Sequence, residues 1–472
     1  MNRVPPTQSR ASSLDADAVD VGRLLDEGRW GGYQRFLVLL TALAIVFDGA
    51  DIQLLGIALP AIGREWAVAR STFAPILALG FVGMMIGGSV AGMAGDRLGR
   101  RVALIGCVLV FGAMTVAMSL VSGPIGLAVL RGLAGLGLGG ALPNAAALAS
   151  EFVPRRHRSV AVTLTIVSVP VGGTLAGLVA IQIVPAFGWR ALFVAGGLAP
   201  IAAALLLLAV LPESPRYLAR QRSRWNELAK NLRRMGYDTP ADVAFVDRTE
   251  RAAVRGSVVE LFAPDLRRDT LALWGAFFAC LLAVYLGFNW VPALLSSAGM
   301  SPTVGSAGIT AFNFGGVAGA IAGALAFPRL GSKVTMLTMA GGAAIGAVAL
   351  SRMPIAASSA VAPIILMLGI TGGLINAVQT TMYALAAQMY PTEVRATGVG
   401  AAVAIGRGGA IASTYAGAWA LERGGSSLFF TLVAAAMAAA LISLAVVRRH
   451  IPGAFTRSPV RRDLSYDGER HG

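Results

Sequence analysis

Charge is scarce in this sequence. Only 13% of its 472 residues are Asp, Glu, Lys or Arg, where a soluble chain carries about a quarter. With 56% hydrophobic residues and 58 glycines, that shortage argues against a soluble domain and for a polytopic membrane protein. Cysteine is nearly absent. Cys107 and Cys280 fall in apolar segments of different halves and read as small core hydrophobes, not as a disulfide or a metal pair. The three histidines, His157, His450 and His471, lie in polar stretches. There is no HExxH, CxxC, GxSxG or phosphate-binding P-loop, so no catalytic grouping, metal site or cofactor is expected, and the chain does not read as an enzyme. A secretory leader is also missing. Residues 1–30 are polar and acidic, so the first apolar segment is expected to be a retained span.

What the chain has instead is long apolar segments. About twelve recur, each near the roughly 20 residues that cross a bilayer. The expected fold is all-α: twelve transmembrane helices in two six-helix bundles, residues 34–211 and 271–447. They are joined by a polar loop, 212–270, and flanked by tails, 1–33 and 448–472. An even number of spans puts both tails and the long loop on one side, which then receives 32 of the 39 Lys and Arg residues. The other side receives Arg64, Arg70, Arg190, Arg352 and Arg423. The positive-inside rule therefore makes both termini cytoplasmic. The net charge of +15 follows from this topology and calls for no nucleic-acid partner. The halves also repeat. Ala94–Arg101 after span 2 is echoed by Ala326–Lys333 after span 8, and Glu151–Arg158 after span 4 by Gln388–Arg395 after span 10. Transporters built from parallel repeats bind substrate between the halves, near the membrane midplane.

Four charges lie deep in the spans: Asp48 and Asp51 in the first, Arg131 in the fourth and Arg407 in the eleventh. A carboxylate at that depth costs about 2.5–3.5 kcal/mol on insertion scales. Burial and a neighbouring arginine push a carboxylate's protonation in opposite senses. An aspartate whose arginine partner comes and goes can therefore take up and release a proton. With no lysine or histidine at depth, Asp48 and Asp51 are the expected proton-coupling groups. A static ion pair with Arg131 is the bland alternative. Arg407 and Arg131 are candidate ligands for an anion, since guanidinium holds a carboxylate bidentately. For Arg131, a role as partner of the aspartates competes with that one.

Three stretches resemble the major facilitator superfamily: Gly92–Arg101, Leu130-Arg131 with Gly135, Gly137 and Gly139, and Pro212–Arg216. More narrowly, Asp48-Gly49-Ala50-Asp51, Gly139–Asn144 with Glu151, and Tyr390–Gly398 leading to Arg407 resemble the aromatic acid:proton symporters. The resemblance implies import of a small benzoate-like or hydroxybenzoate-like anion with protons, across a bacterial inner membrane, by a chain functional as a monomer. On that reading Tyr285, Asn289 and Trp290 of span 7 and Asn376, Gln379 and Tyr383 of span 10 complete a substrate pocket of rings and amides. Gly92, Asp96, Gly99, Arg100, Arg101 and Glu151 form a cytoplasmic gate. In the second half Pro328 stands where the repeat calls for an aspartate. The alternatives are a facilitator for sugars, other metabolites or drugs, and a ligand-binding membrane receptor that does not transport.

Overall fold

The computed structural model describes residues 18–238, 243–248, 258–391 and 394–452. Most of the two tails, parts of the central loop, and Thr392 and Glu393 of the Tyr390–Gly398 stretch lie outside the described residues.

Among the described residues ten helical runs are long and apolar enough to cross a membrane. They are α1 (Gly32–Trp66), α2 (Phe73–Leu98), α3 (Arg100–Met118), α4 (Pro124–Glu151) and α5 (Arg158–Val210), then α6 (Arg267–Ser297), α7 (Pro302–Leu330), α8 (Ser332–Arg352), α9 (Val361–Met389) and α10 (Arg395–Val446). The sequence places breaks near 184–190 and 420–427. A non-helical residue falls in each of these places, Gly188 in α5 and Gly425 in α10, and kinks the run into two helices. Both glycines have positive φ, 78° and 59°, a region costly for residues with a Cβ.

Helices α1–α5 pack mainly among themselves, as do α6–α10. The repeat is visible in the packing. α2 and α4 approach so closely that a Cβ on Gly83 would lie 2.2 Å from the Gly132 carbonyl oxygen. In the second half α7 and α9 do the same, and a Cβ on Gly315 would lie 1.9 Å from the carbonyl oxygen of Gly369. Among lipid tails burial gives helices no hydrophobic drive to associate, so small residues that permit close van der Waals contact hold them. The first helix of each half is the most enclosed. In α1 and α6, 72% of the most apolar stretch is buried, against 33–50% in the other eight. Their exposed counterparts carry Leu, Ile, Val and Phe outward, as lipid-facing helices do.

Residues 18–27 fold back onto the N-terminal half. A two-residue strand, β1 (Val19–Asp20), pairs in parallel with β2 (Phe245–Val246) of the central loop. Asp26 then binds both Arg158 and Arg216. The face carrying this strap and the helix ends at Leu98, Glu151 and Val446 is the terminal face. The face at Trp66, Gly188 and Gly425 is the opposite one.

The halves touch through α5 and α7, α1 and α6, and α2 and α10. At mid-depth Gln53 of α1 and Asn313 of α7 exchange two hydrogen bonds, at 2.7 and 2.6 Å. Towards the opposite face Gly56 sits against the backbone of Phe288 and Asn289. At that face the Ser71 N–H donates to Glu422 at 2.9 Å.

Candidate functional site

Why α1 carries two carboxylates is answered differently for each. Asp51 is 1% exposed and fully engaged. Arg131 of α4 reaches its Oδ2 at 3.0 Å, and Thr115 of α3 donates to its Oδ1. Arg131 also donates to the backbone carbonyls of Ile52, at 3.2 Å, and Asp51, at 3.4 Å. Gly80 of α2 makes room for the arginine stem, since a Cβ there would lie 3.0 Å from Arg131 Cγ. A buried ion pair survives only with such added hydrogen bonds, because desolvation otherwise outweighs the attraction.

Asp48 lies one turn earlier and is 3% exposed, yet its buried Oδ1 has no hydrogen-bond partner. Of the charges acting on it, Arg407 is the strongest, followed by Asp51 and Arg131. Arg407 enters from α10 in the other half and is half-buried. Its Nη1 rests 2.9 Å from Met84 Sδ of α2, and it forms no ion pair among the described residues. One half thus offers a carboxylate lacking a hydrogen bond, the other a guanidinium lacking a counter-ion, across the seam where they meet.

Aromatic rings line the seam. Phe81 of α2 meets Tyr285 of α6 edge-on at 4.6 Å, Tyr285 meets Phe288 at 5.8 Å, and Phe288 meets Phe312 of α7 at 5.8 Å. Tyr383 of α9 packs on Phe277 at 5.3 Å. The Arg407 charge acts on both Tyr285 and Tyr383, so those two rings share its surroundings. Gln379 lies one helical turn from Tyr383 and is half-buried.

The remaining pocket candidates lie elsewhere. Asn376 donates to Gly372 of its own helix at 2.8 Å and packs on Gly316 of α7. Asn289 is buried with neither amide atom partnered, and its backbone abuts Gly56. Trp290 is buried against Gly417 of α10, towards the opposite face.

At the terminal face Asp96 bonds Arg100 across the turn between α2 and α3. Gly99 supplies the turn with φ 107°. The carboxylate that caps α3 is not Asp96 but Glu213: its Oε1 accepts from the Arg101 N–H at 3.0 Å and from the Ser214 N–H at 2.9 Å. The Arg101 side chain donates to the Leu208 carbonyl at 2.5 Å. Glu151 accepts from the Ser214 hydroxyl. Gly92 has open space beside it, and the close approach on that helix falls at Gly95, where a Cβ would lie 2.2 Å from Asn144 Oδ1.

Sequence reasoning passed over Gln53, Asn313 and Thr115, and took Glu213 only as part of the Pro212–Arg216 stretch. For the first two a signal exists: each is an amide in an apolar span, and buried amides require partners. Among the described residues no group of His, Cys, Asp and Glu is placed to hold a metal ion.

The Major Facilitator Superfamily model matches residues 41–414. This chain belongs to the major facilitator superfamily. It is 35% identical to the gallate transporter of Pseudomonas putida over 90% of this chain and 95% of that one. It is 33% identical to the 4-hydroxybenzoate transporter PcaK of the same organism, over 88% and 92%. It is 30% identical to the benzoate transport protein of Acinetobacter baylyi, over 86% and 87%. Among solved structures, the inward-open xylose transporter XylE of E. coli superposes with a TM-score of 0.69 at 15% identity, covering 89% of this chain and 98% of XylE. This facilitator is a multi-pass protein of the bacterial inner membrane, and its relatives carry aromatic acids.

Proposed function

We propose that this facilitator imports a small aromatic carboxylate together with protons, by alternating access. The observation that carries the reading is the seam: buried Asp48 with its unbonded oxygen, Arg407 with no ion pair, and the Phe81–Tyr285–Phe288–Phe312 rings beside them. A substrate carboxylate supplies the counter-ion that Arg407 lacks, in a bidentate pair. Its ring packs edge-on or offset against Tyr285 and Tyr383, which is the preferred geometry between π-systems.

The two aspartates divide the work. Asp51, held by Arg131 and Thr115, stays in place and keeps Arg131 against α1. Asp48 carries the proton. When the anion occupies Arg407, the guanidinium is neutralised and ceases to favour the ionised form of Asp48. Proton and anion then bind cooperatively and cross as a neutral set, and a neutral set moves through low dielectric more cheaply than either charge alone. The halves rock about the bound pair. Gln53–Asn313 and Ser71–Glu422 latch one face in the present arrangement, and the gate at Asp96, Gly99, Arg100 and Arg101 acts at the other.

Counting α5 and α10 as two crossings each gives twelve spans, in bundles 34–211 and 271–447 joined by 212–270. The arginine distribution places the terminal face, both termini and the loop in the cytoplasm. Each chain works as a monomer, since the seam lies between the halves of one chain.

The test is uptake of radiolabelled 4-hydroxybenzoate into proteoliposomes. Accumulation requires an inward proton gradient and collapses with an uncoupler. Asp48→Asn abolishes driven accumulation and leaves counterflow exchange. Uptake indifferent to the gradient sinks the coupling, and full accumulation by the Asn variant moves the proton elsewhere.

A further inference from the structure

A cavity lies away from the central seam. At the opposite face a cleft of about 290 Å³ opens between the halves. Pro60, Arg64, Arg70 and Phe73 line one side, Trp290 and Ser296 the other. The contact of Gly56 with the α6 backbone and the Gln53–Asn313 pair lie beneath it, between the cleft and Asp48. The cleft is therefore a separate compartment in this arrangement.

Its chemistry is that of an anion site. The face is poor in cations, with five of the 39 Lys and Arg residues by the count above, and two of those five line the cleft. Arg64 donates its Nε to the Pro60 carbonyl at 3.1 Å, and among the described residues it forms no ion pair. Arg70 forms no ion pair among the described residues. Arg190, on the same face, shows what a committed arginine looks like: it binds Glu65 at 2.6 Å and stacks on Trp189 at 4.2 Å. The rim carboxylate Glu422 accepts from the Ser71 N–H and is engaged there. Two guanidinium groups match a carboxylate, and Leu59, Val68 and Ala293 beside them leave an apolar surface for its ring. Phe73 and Trp290 border the cleft but are packed behind it, 2% and 0% exposed. The volume sits at the lower end of small-molecule pockets, about 300 Å³ upward, and suits one ring.

We propose that this cleft is a second binding site for aromatic carboxylates, filled from outside ahead of the central site. The inference rests on the reading of the cargo as an aromatic carboxylate. Its purpose follows from its position: it holds an anion beside the latched seam, so that the next opening of that face finds substrate already there.

Equilibrium binding of radiolabelled 4-hydroxybenzoate to the purified full chain in detergent micelles tests this by stoichiometry. Two molecules per chain are expected for the wild type. The double variant Arg64→Gln/Arg70→Gln falls to one, and so does Ser296→Trp, which fills the cleft and keeps both arginines. Arg407→Ala also falls to one, and its remaining molecule is the salt-sensitive one held at the surface. A wild-type value of one, or a value of two in either cleft variant, overturns the proposal. If the wild type binds one while 4-hydroxybenzoate counterflow is intact, this inference alone fails. If it neither binds nor exchanges the acid, the cargo reading fails and takes this site with it.

Discussion

The two halves build the same turn and close it with different chemistry. After α2 the chain turns at Gly99, φ 107°, and after α7 at Gly331, φ 82°. In the first half the next helix is capped by a charge: buried Glu213, arriving from beyond α5, accepts the Arg101 N–H. In the second half a neutral group does the corresponding work: the Ile451 carbonyl accepts the Ser332 N–H at 2.9 Å. The Ser332 hydroxyl accepts from the Ile451 N–H at 2.8 Å and meets His450 Nδ1 at 2.9 Å, while His450 Nε2 meets the Leu444 carbonyl at 3.0 Å. An imidazole with a proton on Nε2 alone satisfies both contacts. The same division runs through the membrane interior. Three of the four deep charges, Asp48, Asp51 and Arg131, belong to the first half, and the second contributes only Arg407. The backbone repeat sets the scaffold, and side chains make one half the carrier of charge and the other a mostly neutral wall with a single cation.

The comparison is broken most directly by removing that cation. Arg407→Ala is expected to raise the half-saturating substrate concentration about 10- to 100-fold, the equivalent of one charge-assisted contact of roughly 1.5–3 kcal/mol. An unchanged affinity in uptake kinetics removes Arg407 from the site. Next comes the ion pair of the first half. Asp51→Asn or Arg131→Met alone strands a buried charge and should cost about 3–5 kcal/mol. The double change Asp51→Leu/Arg131→Met costs less than the sum, because no charge is left unpaired. Thermal unfolding of the three variants measures this, and simple additivity would show that the pair is not coupled. A smaller effect contrasts the turns. Glu213→Gln, which takes the charge off the α3 cap, and Ser332→Ala, which removes the hydroxyl joining Ile451 and His450, should each lower stability by about 1–2 kcal/mol in thermal unfolding. The smallest concerns pH. Burial holds His450 below the usual imidazole value of 6.5, against the opposing pull of the Leu444 carbonyl. Protonation then favours the unfolded chain, so the contribution of this contact is complete above about pH 6.5 and is lost as pH falls below it. His450→Gln should flatten that part of the stability profile. A slope unaltered by the substitution assigns it to another group.

The deep charges were legible in the sequence because a charge in an apolar run is conspicuous whatever its surroundings. Their pairing was not. Asp48 and Asp51 are three residues apart, about 60° around one helix. Only the packing of α3 and α4 against α1 decides that Thr115 and Arg131 meet Asp51 and leave Asp48 facing the seam. Gln53 and Asn313 stand 260 positions apart, and neither announces the other. Glu213 looked like part of a short loop motif. Its role emerges once the chain end after α5 is seen lying on the start of α3. Gly188 and Gly425 each kink a long helical run within the stretch where the apolar pattern breaks.

The Asp51–Arg131 pair also bears on how the molecule is made. α1 carries both carboxylates, and the arginine that neutralises one of them follows 80 residues later in the chain. Until then α1 is a poor occupant of the bilayer on its own. Shortening the chain anywhere before residue 131 should leave α1 with no counter-charge to settle against.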